Sequence, residues 1–249
     1  MFNHNYKPEP VFTGNGPDFY GVELEYECTD GREIALPAAF YAKRDGSLSY
    51  GVEFVSHPAS IETWAGFDWS AMCQRIVDAG MFVEMSCGLH VHISRKALTP
   101  EQWMKVGYFI HSNPELLEVY GRRPPNSYCK VEPKVLDSEI LFETDRYQAI
   151  NFTNAHTVEL RFFASTLEDH EIEATLIFAK ALVLFAKMIS MEDIMSPSKA
   201  LLVFSNAFEE AGTIWYLAVR TPLTGFHTEV ITSVNGEGVS ALPLEGSPG

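Results

Sequence analysis

Glu23, Glu25 and Glu27 alternate with Val22, Leu24 and Tyr26 in the stretch GVELEYE. Successive side chains of an extended chain leave opposite faces, so one face here is a row of carboxylates and the other is apolar. The pattern returns elsewhere. Glu53 stands between Val52 and Phe54 in YGVEFVSHP, with His57 near its end. His90 and His92 alternate with Leu89, Val91 and Ile93 in CGLHVHIS, and Glu159 and Arg161 alternate with Val158, Leu160 and Phe162 in TVELRFF. Each stretch alone has a plainer reading: a solvated outer face for the glutamates, a hydrogen-bonded structural pair for the histidines, an ion pair for Glu159 with Arg161. Side by side in one sheet, the polar faces pool into an acidic patch holding two histidines and an arginine. Carboxylates so crowded resist ionising together unless cations lie among them. Carboxylates with few thiolates suit hard cations such as Mg2+ or Mn2+, whereas zinc favours more histidine or cysteine. Magnesium commonly keeps positions for phosphate oxygens, and Arg161 and Arg146 offer charge for an anion, so a nucleotide is the expected third party.

Positioning these residues requires strands, and the local pattern predicts them over residues 19–27, 38–49, 50–58, 81–94, 146–152 and 157–166. Gly88, inside one of them, marks a bulge or a place where a ligand comes close. Helices are expected over 60–80, over 100–121 with a break near Asn113 and Pro114, from Leu167 through the apolar stretch ATLIFAKALVLFAKMIS, and briefly over 198–210. Between them runs a long loop, RRPPNSYCKVEPKVLDSE, whose Arg122 and Arg123 read as solvated and whose 122–134 portion is a candidate for substrate selection. Strands and helices without regular alternation predict an α+β fold with an antiparallel sheet. Neither a dinucleotide-binding glycine fingerprint nor a P-loop occurs. Residues 1–220 read as one catalytic domain, and 221–249, rich in proline, glycine, serine and threonine, as a flexible tail.

With 33 acidic against 18 basic side chains, the chain of 249 residues carries a formal charge of −15, which opposes sequence-blind binding to nucleic acid. The four cysteines show no metal-finger spacing and read as free thiols, Cys87 included, for which no triad partners stand out. No apolar stretch reaches the ~20 residues a bilayer requires, and the opening MFNHNYKPEP has no leader pattern. The cytoplasm is the expected location.

In this order, YGVELEYE, RDGSL, GVEFVSHP, CGLHVHIS, RYQAINF and TVELRFFAST resemble the amidoligase family, carboxylate-amine ligases related to glutamine synthetase and glutamate-cysteine ligase, over roughly residues 18–190. The resemblance implies a glutamine-synthetase-like catalytic domain: a curved, mostly antiparallel sheet with helices packed on one face and ATP and metal ions on the other. It implies that Glu23, Glu25, Glu53, His90 and Glu159 hold metal, that His90, His92 and Arg161 face the nucleotide, and that Arg146 and Arg161 act on the transferring phosphate or the substrate carboxylate. Glu27 has no counterpart. The implied reaction joins a small-molecule or peptide carboxylate to an amine through an acyl phosphate. Two other readings stay open from the residues alone: a zinc hydrolase built on the HxH and acidic cluster, and a non-catalytic binding protein.

Overall fold

The computed structural model describes residues 6–29, 34–220 and 230–231. Among the described residues the strands are β1 (Tyr20–Cys28), β2 (Leu36–Pro37), β3 (Phe40–Lys43), β4 (Val52–Ser56), β5 (Met81–Phe82), β6 (Gly88–Ser94), β7 (Ile150–Asn151), β8 (Thr157–Ala164) and β9 (Val230–Ile231). The α-helices among the same residues are α1 (Ile61–Ala65), α2 (Trp69–Asp78), α3 (Pro100–Ser112), α4 (Pro114–Gly121), α5 (Asp169–Met188) and α6 (Pro197–Arg220). The main sheet runs in the order β3-β4-β1-β6-β8-β7, with β5 continuing beside β1 past the end of β6, and every named strand pair is antiparallel. The fold is α+β. The expected tail, 221–249, lies outside the described residues except for β9, which pairs with β2.

The alternation in β1 sorts its side chains as a half-polar strand must. Tyr20, Val22, Leu24 and Tyr26 are buried on the apolar face, where helices cover the sheet. There Phe178 of α5 meets Phe162 and Phe163 of β8 as well as Phe204 of α6, with ring centroids 5.1 to 5.7 Å apart. Two consecutive residues reach one helix because β8 carries an extra residue: Leu89 lies opposite Phe163 but Val91 opposite Leu160. That bulge places Arg161 and Phe162 together across from His90: Phe162 keeps the apolar face expected of it, and Phe163, which simple alternation would turn to the polar face, joins it there.

Several elements depart from the periodicity. The helix expected over 60–80 is two, because Asp68 caps a new start by accepting the Ala71 N–H (2.9 Å) while Phe67 turns its ring into Phe40 and Trp69. The strand expected over 81–94 is also two, separated by a turn in which the Cys87 N–H reaches the Glu84 carbonyl at 3.0 Å. The strand expected over 146–152 contracts to β7, and residues 146–147 form a turn. Helix α6 runs ten residues past the expected end at 210, carried by a buried stripe of Ala200, Phe204, Ala207, Ala211, Trp215 and Ala218. The break between α3 and α4 falls at Asn113, since Pro114 has no N–H to continue the helix.

The long loop after α4 is tied down by His111 of α3, whose Nδ1 accepts the Glu132 N–H at 3.3 Å. Burial, and then the charge of Lys134, push this imidazole down to about 4. The fold therefore holds His111 neutral, while the unfolded chain takes up a proton below its ordinary value of 6.5. Stability from this group is complete above that value and is lost as pH falls toward the folded value. His111→Leu is expected to flatten the pH dependence of the unfolding free energy between those limits, by up to about 3 kcal/mol relative to wild type, as read from denaturation curves across pH.

Candidate metal centre

The strand register gathers the polar side chains onto the face opposite the helices. Glu23 pairs with His90, Glu25 with Glu53, His92 with Glu159, Lys43 with Glu53, and Asn151 with Glu159. Glu25, Glu53, His90, Glu159 and Arg161 are each at most 7% exposed, and Glu23 and His92 are half-buried. This is not a wet outer face.

Two groups of ligand atoms form within it. Glu23, His92 and Glu159 bring one donor atom each to within 4.8 Å of the others, and so do Glu25, Asp45 and Glu53. His90, expected as the histidine ligand, stands between the groups: its Nδ1 lies 3.5 Å from Glu23 Oε2 and 3.3 Å from Glu159 Oε1, and its Nε2 lies 4.0 Å from Glu25 Oε1. His92 Nε2 reaches Glu23 Oε1 at 3.2 Å, and its other ring nitrogen is held 3.1 Å from Thr157 Oγ1, which fixes the ring. Glu159 is gripped by Asn151 Nδ2 at 2.7 Å and by the Arg161 guanidinium. Glu25 accepts the Gly88 N–H at 2.6 Å, where β6 begins. A Cβ on Gly88 would lie 2.7 Å from His90 Nε2 and 3.3 Å from Glu25 Oε2, so the glycine lets the backbone floor approach the site.

The electrostatics are those of a crowded acidic site. Burial raises Glu25, and the charges of Asp45 and Glu23 add to it. Burial, then the charge of Glu23 and a hydrogen bond to it, push Glu53 far above the ordinary carboxylate range. Glu23 goes the other way: burial opposes its charge, but His92, His90 and Lys43 together hold it well below that range. Of this pair, Glu53 keeps the proton. Burial opposes the Glu159 charge too, yet His92, His90 and Arg161 lower it. His92 rises despite burial because Glu23 faces it.

The donor chemistry fits divalent cations. One group offers oxygen and a single imidazole; the other offers oxygen alone, the ligand set of a hard cation. His90 Nδ1 is buried without a hydrogen bond between Glu23 and Glu159, while Glu53 Oε2 faces the Lys43 ammonium at 3.0 Å.

Several contributors lay outside the reading of the sequence. Asp45, before Gly46 in a turn, accepts the Ser47 N–H at 2.6 Å and also joins the all-oxygen group. Glu27 fastens that turn, accepting the Ser49 and Tyr50 N–H groups at 2.7 and 2.9 Å. Arg122 and Arg123 are not simply solvated: Arg122 pairs with Glu171 at 3.2 Å, and Arg123 turns inward to donate to the Arg161 carbonyl at 2.6 Å, because the left-handed backbone at Arg122 (φ 58°) redirects the chain. Arg146 is exposed on its turn, with its guanidinium 5.4 Å from the centre of the Tyr147 ring, on which Arg161 also lies. The four cysteines are free and buried, and burial pushes the Cys87 thiol up, away from nucleophile chemistry.

A groove of about 1340 Å³ opens onto the first group through Glu23, Lys43 and His92. Its charged lining runs against the chain's net charge: Lys7, Lys43, Arg95 and Lys96 face only Glu9 and Glu23. Among the described residues, no helix is long and apolar enough to cross a membrane.

No protein-family model matches the chain, and no curated protein sequence matches it. Among solved structures it is similar to one described as "Crystal structure of novel glutamine synthase homolog", at 11% identity and a TM-score of 0.37, over 81% of this chain and 65% of that one. The chain thus spans 65% of that structure's length, and a likeness this slight carries no weight for either fold or activity.

Proposed function

We propose that the protein is an ATP- and magnesium-dependent carboxylate-amine ligase, forming an amide bond through an acyl phosphate on a glutamine-synthetase-like scaffold in the cytoplasm. The observation that supports it is a pair of cation-competent groups on one sheet face, one of them all-oxygen and the other opening through Glu23 and His92 into a groove whose charged lining is mainly basic. In this reading Glu23, His92 and Glu159, with His90 beside them, hold one Mg2+ or Mn2+, and Glu25, Asp45 and Glu53 hold another. Bound there, the cations would neutralise phosphate charge and polarise the phosphoryl group. The remaining work falls to the chain. Arg161, kept in place by Glu159, faces the charge that grows between two anions, a task that rewards fixed donors over mobile water. Arg146, on its exposed turn, meets the acid substrate as it enters. No nucleophilic side chain is required, in keeping with the raised Cys87 thiol.

The test is thermal melting with Mg2+, with ATP and with both, followed by mass-spectrometric screening of acid and amine pairs for products that lose water while ADP forms. The expected result is stabilisation by the two together beyond either alone, with ADP formed only when both substrates are present. No joint stabilisation, or stoichiometric zinc surviving dialysis, overturns the ligase reading.

A further inference from the structure

Lys43 ends the edge strand β3 and reaches across the sheet face. Its Nζ lies 3.0 Å from Glu53 Oε2 and 3.8 Å from Glu23 Oε1. Glu53 belongs to one cation-competent group and Glu23 to the other. Among the described residues, Lys43 is the only lysine or arginine ion-paired with members of both. It also lines the groove, next to Glu23 and His92. A divalent cation entering either group draws on carboxyl oxygens that this ammonium now faces, the charged Glu23 and the neutral Glu53, and like charges at such range repel. The side chain has somewhere to go. It stands a quarter exposed at the sheet edge, on a flexible four-carbon stem with three donors, beside a groove that shares its charge sign.

We infer that Lys43 is an exchangeable cation of this centre: it holds one carboxyl group of each cluster, Glu23 and Glu53, while they are free of metal, and on loading it turns into the groove to bind phosphate oxygens of a polyphosphate ligand. The inference rests on the cation reading of the two groups. It adds a positively charged phosphate-binding residue to the site, and it makes metal loading a condition for that residue to act.

Two measurements on the full chain test it, with Mn2+ and inorganic tripolyphosphate as probes. Lys43→Met keeps the length of the stem and removes the charge. The variant is expected to bind Mn2+ about threefold or more tightly than wild type, having no ammonium to displace, and to bind tripolyphosphate in the presence of Mn2+ about tenfold or more weakly, with Lys43→Arg recovering part of the loss. A structural role alone would not move the two affinities in opposite directions. The second measurement needs no variant. Acylation of Lys43 by an amine-reactive reagent, read by mass spectrometry in wild type, should rise with Mn2+ and fall again when tripolyphosphate follows. Unchanged labelling, or unchanged tripolyphosphate affinity in folded Lys43→Met, overturns the role of Lys43 while Mn2+ binding by wild type leaves the cation reading standing. Wild type that takes up no Mn2+ overturns both.

Discussion

Glu53→Gln is expected to melt above wild type in the absence of divalent cations and to gain almost nothing from magnesium, whereas wild type gains strongly. The two effects have one origin. In the fold Glu53 keeps its proton, because it is buried and because the charge of Glu23 faces it; the unfolded chain releases that proton above the ordinary value of 4.5. A fold that binds a proton its unfolded chain has released loses stability as pH rises through the interval between the two values. Each pH unit in that interval works against the wild-type fold by at most about 1.4 kcal/mol. Glutamine copies the neutral carboxyl, with an N–H for Glu23 and an oxygen for Lys43, and has no proton to retain. Since each kcal/mol moves the melting temperature of a chain this size by roughly 2–4 °C, the variant should stand several degrees higher at pH 8 and draw level near pH 4.5. The cation side of the result follows from charge. An amide is a poor substitute for one of three carboxylates in an all-oxygen group, and affinity for Mn2+ at that group should fall about a hundredfold. Calorimetric titration and melting curves across pH read both effects. A variant that melts below wild type at pH 8, or that keeps its magnesium stabilisation, contradicts the account.

The faces of the strands were legible in the residues because a period of two survives without knowledge of neighbours: the alternation about Glu23, Glu53, His90 and Glu159 is local. Which strand lies beside which is not local. The order β3-β4-β1-β6-β8-β7 sets Glu25 opposite Glu53 and His92 opposite Glu159, and each pairing joins segments far apart in the chain. The resemblance pointed to His90 as the metal-holding histidine, and the closer grouping of His92 with Glu23 and Glu159 waited for the register. Asp45 and Lys43 escaped for another reason. An aspartate before a glycine signals a turn, and a lysine at the end of an edge strand looks solvated; nothing in RDGSL tells that this turn folds back against Glu25 and Glu53. Arg123 shows the limit of reading charge as exposure, since a single left-handed residue before it turns the guanidinium inward. Helix α6 runs past the expected end at 210 and through Gly212, because a buried stripe through Ala211, Trp215 and Ala218 outweighs the weak helix preference of one glycine.

Lys180→Met should cost the fold about 3–5 kcal/mol, the penalty for stripping one partner from a buried ion pair, and roughly 6–20 °C in melting temperature. Lys180 Nζ donates to Asp18 Oδ2 at 2.9 Å, and the Tyr20 hydroxyl donates to the same oxygen at 2.6 Å; all three residues are at most 9% exposed. The pair joins α5 to the residues leading into β1, so it fixes the strand whose opposite face carries Glu23 and Glu25. Burial opposes the Asp18 charge, but Tyr20 and Lys180 outweigh it and hold the carboxyl below its ordinary value of 3.8. A group lowered in the fold lends stability above its unfolded value and withdraws it as pH falls through the folded one, so the deficit of Lys180→Met should shrink in acid as Asp18 becomes neutral. Adding Asp18→Asn to Lys180→Met should recover part of the loss at neutral pH, because the stranded charge is gone. Cation binding separates this pair from the metal centre. Lys180 lies on the apolar face and Glu53 on the polar one, so folded Lys180→Met should keep wild-type affinity for Mn2+ while Glu53→Gln loses it.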